Sequence, residues 1–456
     1  MATIRAGKRR AAFSFSVDML TGSPLKKMLI FGLPLFAVNV LNMLTSALTV
    51  TIYNKFVGGD AFYIPSLVSN AVSYIGNVVG GVVSATMICV AQAKGADDPK
   101  RCRTCLFNAV YAVLLVDIVL CVVFVAAYRP VFRMLHVPAE AYGNTFTYYA
   151  LYLATYMFTA LGSLLISAVA AYSNIAHIFI LNVMNSCFHV AVSAFLLGVL
   201  RLGLAGVAVY AAVNAVFVGC AGLLCLSRNR GLRPERSELK PDWGCIFRII
   251  RYGLLLSLQS IFCSVGYLLV SIETNARLSP AFIATLGVAL PISAPMTSMS
   301  SAVSVFCAQN CGAGNEARLR KGVAQALVVV ELYALICMLF NVFAAPAYWN
   351  FMFKDTEMIR LGVERWRYSA FGFLFVGILY VLRFALDSMG YGRCTIFCGV
   401  CEFIMQLFCA YMLIPKTGVF GASVAQGLSW ALSAVYISIM YAVIIRKRRK
   451  ERSGTV

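Results

Sequence analysis

VAQAKGADDPKRCR, residues 90–103, comes back in altered form as CAQNCGAGNEARLR, residues 307–320. Ala91 aligns with Ala308, Gln92 with Gln309 and Gly95 with Gly312. Arg101 and Arg103 align with Arg318 and Arg320. Each pair is 217 positions apart, close to half of the 456-residue chain. A constant separation over many positions indicates an internal duplication.

The surrounding sequence says what is duplicated. Hydrophobic residues make up 61% of the chain and charged residues only 12%. Mean hydropathy is +0.82. A soluble domain carries about a quarter charged residues, so this chain reads as one whose solvent is lipid. Apolar runs able to cross ~30 Å of hydrocarbon as helices are expected near 28–52, 62–92, 105–127, 145–172, 176–200, 203–227, 247–273, 280–309, 322–346, 367–389, 394–415 and 418–445. The expected fold class is an all-α integral membrane protein with twelve transmembrane helices. The N-terminus, MATIRAGKRRAAFSFSVDML, reads as lacking a cleavable signal peptide.

The net charge of +20 first suggests nucleic acid, but its placement argues against that. Lys94, Lys100, Arg101 and Arg103, the cluster from Arg228 to Lys240, Arg318, Arg320, Lys321 and Arg393 fall in alternate loops, together with the basic tails. That asymmetry is the positive-inside pattern of a multi-pass membrane protein with both termini cytoplasmic. The sixteen Cys lie mostly within apolar runs and read as small hydrophobes, with no metal site expected.

The polar stretch RNRGLRPERSELKPDW, residues 228–243, divides the spans into six and six. The expected divisions are an N-terminal segment (1–27), a six-helix bundle (28–227), a linker (228–244), a second bundle (245–445) and a basic tail (446–456). Each repeat crosses the membrane an even number of times, so a pseudo-twofold axis along the membrane normal is expected between like-oriented bundles. A cavity belongs naturally at their meeting. In span 2, Ser66, Asn70, Ser73, Asn77, Gly80 and Ser84 share one helix face. Amides facing lipid are costly, so this face is expected to meet protein or water, with helix packing as the plainer reading. Asn39, Asn42, Asn182, Asn185 and Gln259 are the other amide candidates for the cavity, and Tyr149, Tyr152 and Tyr156 of span 4 the aromatic ones. The Pro- and Ser-rich run 291–304 suggests a bent or broken span 8.

Several of these stretches resemble one family. DMLTGSPLKKMLIFGLP (18–34), the two Ala-Gln-x-x-Gly-Ala corners, GLRPERSELKPDW (231–243) and GLAGVAVYAAV (203–213) are similar, in order, to motifs of the multidrug and toxic compound extrusion (MATE) family. The resemblance implies two six-helix bundles around a central cleft. It also implies export of organic compounds against inward flow of Na⁺ or H⁺, with no other cofactor. Two departures stand out. Family members commonly carry an Asp late in helix 1 and another in helix 5, and here no carboxylate lies between Asp18 and Asp60 or between Glu140 and Glu235. In the second half, Glu402 falls where many relatives have Glu, and Asp387 and Arg383 are spaced to pair. Glu402, Asp387, Arg383, Glu331, Asp117 and His189 are the candidate coupling residues, because an ionisable side chain at membrane depth is a functional candidate by default.

The expected function is a cation-coupled secondary antiporter, a monomer in the lipid bilayer, handling small organic, cationic or amphipathic solutes and no nucleic acid. A flippase of lipid-linked saccharides is the nearest alternative. An integral-membrane transferase is a further one, opposed by only three widely spaced His.

Overall fold

The structure, a computed structural model, describes residues 17–56, 59–134, 142–172, 175–288 and 293–452. Helices dominate, and no strand occurs among these residues. The first half contains α1 (Pro24–Phe56), α2 (Gly59–Gly95), α3 (Pro99–Ala126), α4 (Tyr128–Met134), α5 (Tyr142–Ala171), α6 (Ile175–Ala194) and α7 (Gly203–Arg228). The second contains α8 (Trp243–Arg277), α9 (Pro280–Leu286), α10 (Ser293–Gly312), α11 (Glu316–Leu339), α12 (Ala345–Met352), α13 (Thr356–Ser369), α14 (Gly372–Ser388), α15 (Gly392–Phe408), α16 (Ile414–Thr417) and α17 (Val419–Arg452).

Ten helices among the described residues are long and apolar enough to cross a membrane. Helices α13 and α14 meet at a 50° bend and together form an eleventh candidate. The shortfall from twelve falls at the expected span 280–309. There α9 is short, residues 289–292 lie outside the described set, and α10 is rich in polar side chains. Those side chains do not need lipid: Ser298, Ser300, Ser304, Gln309 and Asn310 are all buried within the protein. A helix surrounded by other helices is free of the hydropathy that lipid contact demands.

The repeated corners are copies in geometry as well as sequence. In the first, Asp97 takes a left-handed φ of 54°, and Asp98 caps α3 by accepting from Arg101 N at 2.9 Å. In the second, 217 residues later, Gly314 has φ 68° and Asn315 caps α11 by accepting from Arg318 N at 3.3 Å. The two corners then meet. Gln92 Nε2 donates to the Ser388 carbonyl at 2.7 Å, and Gln309 Nε2 donates to the Ala171 carbonyl at 2.8 Å. Ala171 and Ser388 are themselves 217 apart, so the contacts are reciprocal. Gly95 and Gly312 make the approach feasible. A Cβ on Gly95 would sit 1.9 Å from the Gln309 carbonyl oxygen, and one on Gly312 would sit 1.9 Å from that of Gln92. Only a residue without a side chain fits at either place.

The corners also hold the segments that lead into each half. Arg318 donates to the carbonyls of Met19 at 3.1 Å and Thr21 at 2.8 Å, just before α1. Arg103 binds Glu238 of the linker through Nε at 2.7 Å, and Asn108 accepts from Asp242 N at 2.7 Å, just before α8. The Arg103 hydrogen bond holds the Glu238 carboxyl below the usual carboxylate range.

Candidate functional site

Among the hollows between the described helices, one polar hollow in each half bears on function. The second-half hollow, about 380 Å³, is built by four helices. Ser260, Cys263, Ser264 and Tyr267 follow one another along one face of α8, a helical spacing. Tyr380 and Arg383 of α14, Glu402 and Gln406 of α15, and Gln426 and Trp430 of α17 complete the wall. Glu402 is 4% exposed. The Arg383 guanidinium lies over the rings of Tyr380, at 5.4 Å, and Phe384, at 5.0 Å, and its Nε has no hydrogen-bond partner. Gln406 Nε2 donates to Gln426 Oε1 at 3.2 Å.

The expected Arg383–Asp387 ion pair is not formed. Asp387 instead accepts the Thr395 hydroxyl at 2.6 Å on Oδ1. Tyr252 also donates to the Asp387 backbone carbonyl. The spacing was right for a pair, but Thr395, on the neighbouring helix, takes the carboxylate. Arg383 is left among Asp387, Tyr380, Cys263 and Glu402.

The first-half hollow, about 370 Å³, has no charged side chain in its wall among the described residues. Thr159, Ser163 and Ser167 of α5 face Asn182 and Asn185 of α6 and Asn214 of α7. Asn182 Nδ2 donates to the Ile178 carbonyl at 2.8 Å. The Oδ1 atoms of Asn185 and Asn214 are buried without partners. Unpaired buried acceptors are costly, and they fit a hollow that receives something carrying donors.

The remaining candidates scatter. Asn39 Nδ2 donates to Ser298 at 2.8 Å, and Asn77 Nδ2 approaches Ser264 Oγ at 3.5 Å, so both bridge the two halves. Ser73 and Asn42 are exposed. Nothing lies within 4 Å of a Cβ placed on Gly80, so this face of α2 borders open space there. The side chains of Ser66 and Asn70 lie outside the described residues. Tyr152 and Tyr156 stack at 6.3 Å within a larger cluster; Tyr148 joins Tyr152, and Tyr53 and His189 both pack on Tyr210. Tyr149 is on the wrong side. It is fully buried against Phe132, and its hydroxyl donates to the Phe124 carbonyl at 3.2 Å. Gln259 is buried where α8 packs closely on Gly399 of α15, outside the hollow wall. Asp117 and Glu331 each keep an unpartnered buried oxygen, in α3 and in α11 against Gly377, and neither reaches the Arg383–Glu402 hollow. Sequence reasoning missed Cys263, Tyr267, Tyr380, Gln426 and Asn214. The helical spacing of Ser260, Cys263, Ser264 and Tyr267 could have flagged the first two.

A helical membrane protein with a duplicated corner and a polar hollow in each half is the class that these features define. The MatE family profile matches residues 34–195 and 256–412, and the chain belongs to the MATE family, whose members are transporters rather than enzymes. Among curated proteins it is 24% identical over 165 residues to a probable multidrug resistance protein NorM of Listeria innocua, and matches that of Listeria monocytogenes equally. Each alignment spans 35% of this chain and 36% of the relative's length. Solved structures share the whole fold. The crystal structure of MATE in the bent conformation superposes with a TM-score of 0.87 at 15% identity, covering 96% of this chain and 99% of that one. A MOP superfamily transporter from Pyrococcus furiosus gives 0.86 at 15%, covering 95% and 98%.

Proposed function

We propose that the protein is a proton-coupled secondary antiporter that exports organic, cationic or amphipathic solutes by alternating access. Twelve helices form two pseudo-twofold-related bundles, with the paired corners and both termini cytoplasmic. On α2 the closest approaches between halves lie at the corner end, at Gln92 and Gly95, while further along Asn77 reaches Ser264 only at 3.5 Å and Gly80 borders open space. This supports a conformer closed at the corner end.

One observation carries the coupling assignment: Glu402 and Arg383 line the same hollow in the second half, while the first-half wall holds only amides, hydroxyls and apolar groups. A Na⁺ bound at Glu402 would be repelled by the guanidinium beside it, whereas a proton only changes the state of the carboxyl. A solute bound near the amides, Tyr152 and Tyr156 keeps clear of that charge. Aromatic faces and unpaired oxygens suit an organic cation.

The test is transport in vesicles holding the full chain, driven by an imposed pH or Na⁺ gradient. A pH gradient should drive solute movement, and Glu402→Gln should reduce it at least about tenfold, a modest loss for a positioned acid–base group. Unchanged transport in Glu402→Gln sinks the assignment. Transport that needs Na⁺ and ignores the pH gradient removes the proton.

A further inference from the structure

A third concave region lies apart from both hollows, at the end of the helices where the corners meet. It measures about 450 Å³ and runs between α2, α8 and the start of α15. Arg248 and Arg251 of α8 and Arg393 of α15 line it, with Cys89, Tyr252 and Leu255 as apolar and aromatic wall. All three arginines are exposed. Among the described residues none has a side-chain hydrogen bond or ion pair, and no Asp or Glu lines the groove.

Three unneutralised guanidiniums on one concave wall repel one another. Arg393 also stands in the first turn of α15, where the helix dipole disfavours a cation and no side chain caps the helix. These costs fall away if an anion occupies the groove.

The fold does not demand the arrangement. Gly253 of α8 packs on Val82, and Gly32 of α1 packs on Met299, and Val82 and Met299 are 217 apart. Helix α1 is therefore the counterpart of α8, and the places of Arg248 and Arg251 are taken there by Lys27 and Ile30. Arg393 corresponds to Ala176, and Tyr252 to Phe31, which is packed away at 1% exposed. At this level one seam carries a single cation, Lys27, and the other carries three.

The level itself narrows the anion. Trp243 and Phe247, on the first turns of α8, are each 60% exposed, as side chains are at a membrane–water boundary. A groove at that depth, with apolar walls and guanidinium forks, matches a phosphate that carries acyl chains. We infer that this groove binds the phosphate of an anionic phospholipid from the cytoplasmic leaflet. The leaflet, and only the leaflet, rests on the orientation proposed above.

The full chain, purified in micelles containing phosphatidylglycerol or phosphatidylcholine, gives the test, with bound lipid counted by native mass spectrometry. Phosphatidylglycerol should be retained over phosphatidylcholine. Arg248→Gln/Arg251→Gln/Arg393→Gln should lower that preference roughly a hundredfold, and Arg393→Gln alone about fivefold. Arg133→Gln/Arg201→Gln/Lys354→Gln, an equal charge loss outside the groove, should leave it nearly intact. Melting in phosphatidylcholine confirms that each variant is folded. An unchanged preference in the folded triple or single variant overturns the inference. So does an equal loss in the control, or displacement of the lipid by inorganic phosphate at matching concentration, which would mark a site for the free ion. Micelles are blind to leaflet, so orientation is read separately, from a C-terminal epitope on intact cells. An epitope exposed outside overturns the orientation and leaves the lipid site standing.

Discussion

The two hollows share two walls in the repeat and differ in two respects: the second carries charge, and α8 contributes four residues to it while α1, its counterpart, contributes none to the first. In the 217-residue register Asn185 corresponds to Glu402, Ser163 to Tyr380 and Ile166 to Arg383. The helices that follow begin alike but slip by two residues, since α7 starts at Gly203 with φ 55° and α17 follows Gly418, 215 positions on, with φ 57°. Duplication accounts for the walls that correspond, α5 with α14 and α6 with α15. Side chains separate the two: one hollow carries Glu402 and Arg383 and the other unpaired amide oxygens, the contrast on which the proposed division between ion and solute rests. Here the asymmetry is nearly complete.

The largest expected effect comes from erasing the neutral hollow. Asn185→Leu removes a buried oxygen that has no partner. Deleting an unsatisfied acceptor in favour of an apolar group of similar size is neutral or stabilising for a fold. Its melting temperature should therefore hold or rise, while solute affinity drops about tenfold or more and the pH dependence of transport survives. Equilibrium binding of a fluorescent organic cation, beside a thermal melt, reads both. A variant that melts early and binds normally would make Asn185 a packing residue and end the division of labour.

How much of this was legible beforehand follows from range. The corner motif announced the duplication because its residues are local in sequence and constrained in geometry: a left-handed turn, a cap, and a Gly where two backbones touch. Glu402 was legible because a carboxylate in an apolar run is rare and costly. The Arg383–Asp387 pairing was misjudged because i,i+4 spacing says only that two groups can meet, and Thr395, on the next helix, met Asp387 first. Tyr149 was misplaced because a stripe of tyrosines does not say which edge faces the interior of the bundle. Asn214 was passed over because nothing near it in sequence marks it; the residues it faces are on α5 and α6. Span 8 lost its apolar signature because α10 is wrapped in protein.

A second way to probe the comparison is to ask whether the halves are equal where they meet. Gly95→Ala and Gly312→Ala each place a methyl group against a backbone carbonyl that cannot swing aside. Overpacking of this kind costs ~1–3 kcal/mol. Both variants should melt earlier by similar amounts, and both should shift cysteine accessibility in the gap toward the state open at the corner end. Gln92→Ala and Gln309→Ala each lose the amide hydrogen bond that reaches a carbonyl across the seam, a smaller loss of ~1 kcal/mol for that bond. Near-equal effects within each pair support a symmetric seal. A large effect on one side alone would mean that a single corner holds the closed state.

The smallest expected effect concerns the segments leading into the halves, where the symmetry is also broken. Ahead of α1, Arg318 holds backbone carbonyls, which do not titrate. Ahead of α8, Arg103 holds the Glu238 carboxylate, whose pKa that hydrogen bond depresses. A group with a lowered folded pKa contributes its stability fully above its unfolded value and loses it as pH falls through the folded one. Acidification through and below the usual carboxylate range should therefore loosen the linker, residues 228–244, more than the segment before α1, where protonation of Asp18, held low by the Thr21 hydroxyl, leaves the Arg318 contacts to backbone carbonyls intact. Hydrogen exchange on the two segments across that window checks it, with Glu238→Gln expected to remove the pH dependence. The effect should be modest, because Asn108 Oδ1 still accepts from Asp242 N, a contact that does not titrate. Equal loosening of both segments would trace the change to general acid unfolding and not to this one carboxylate.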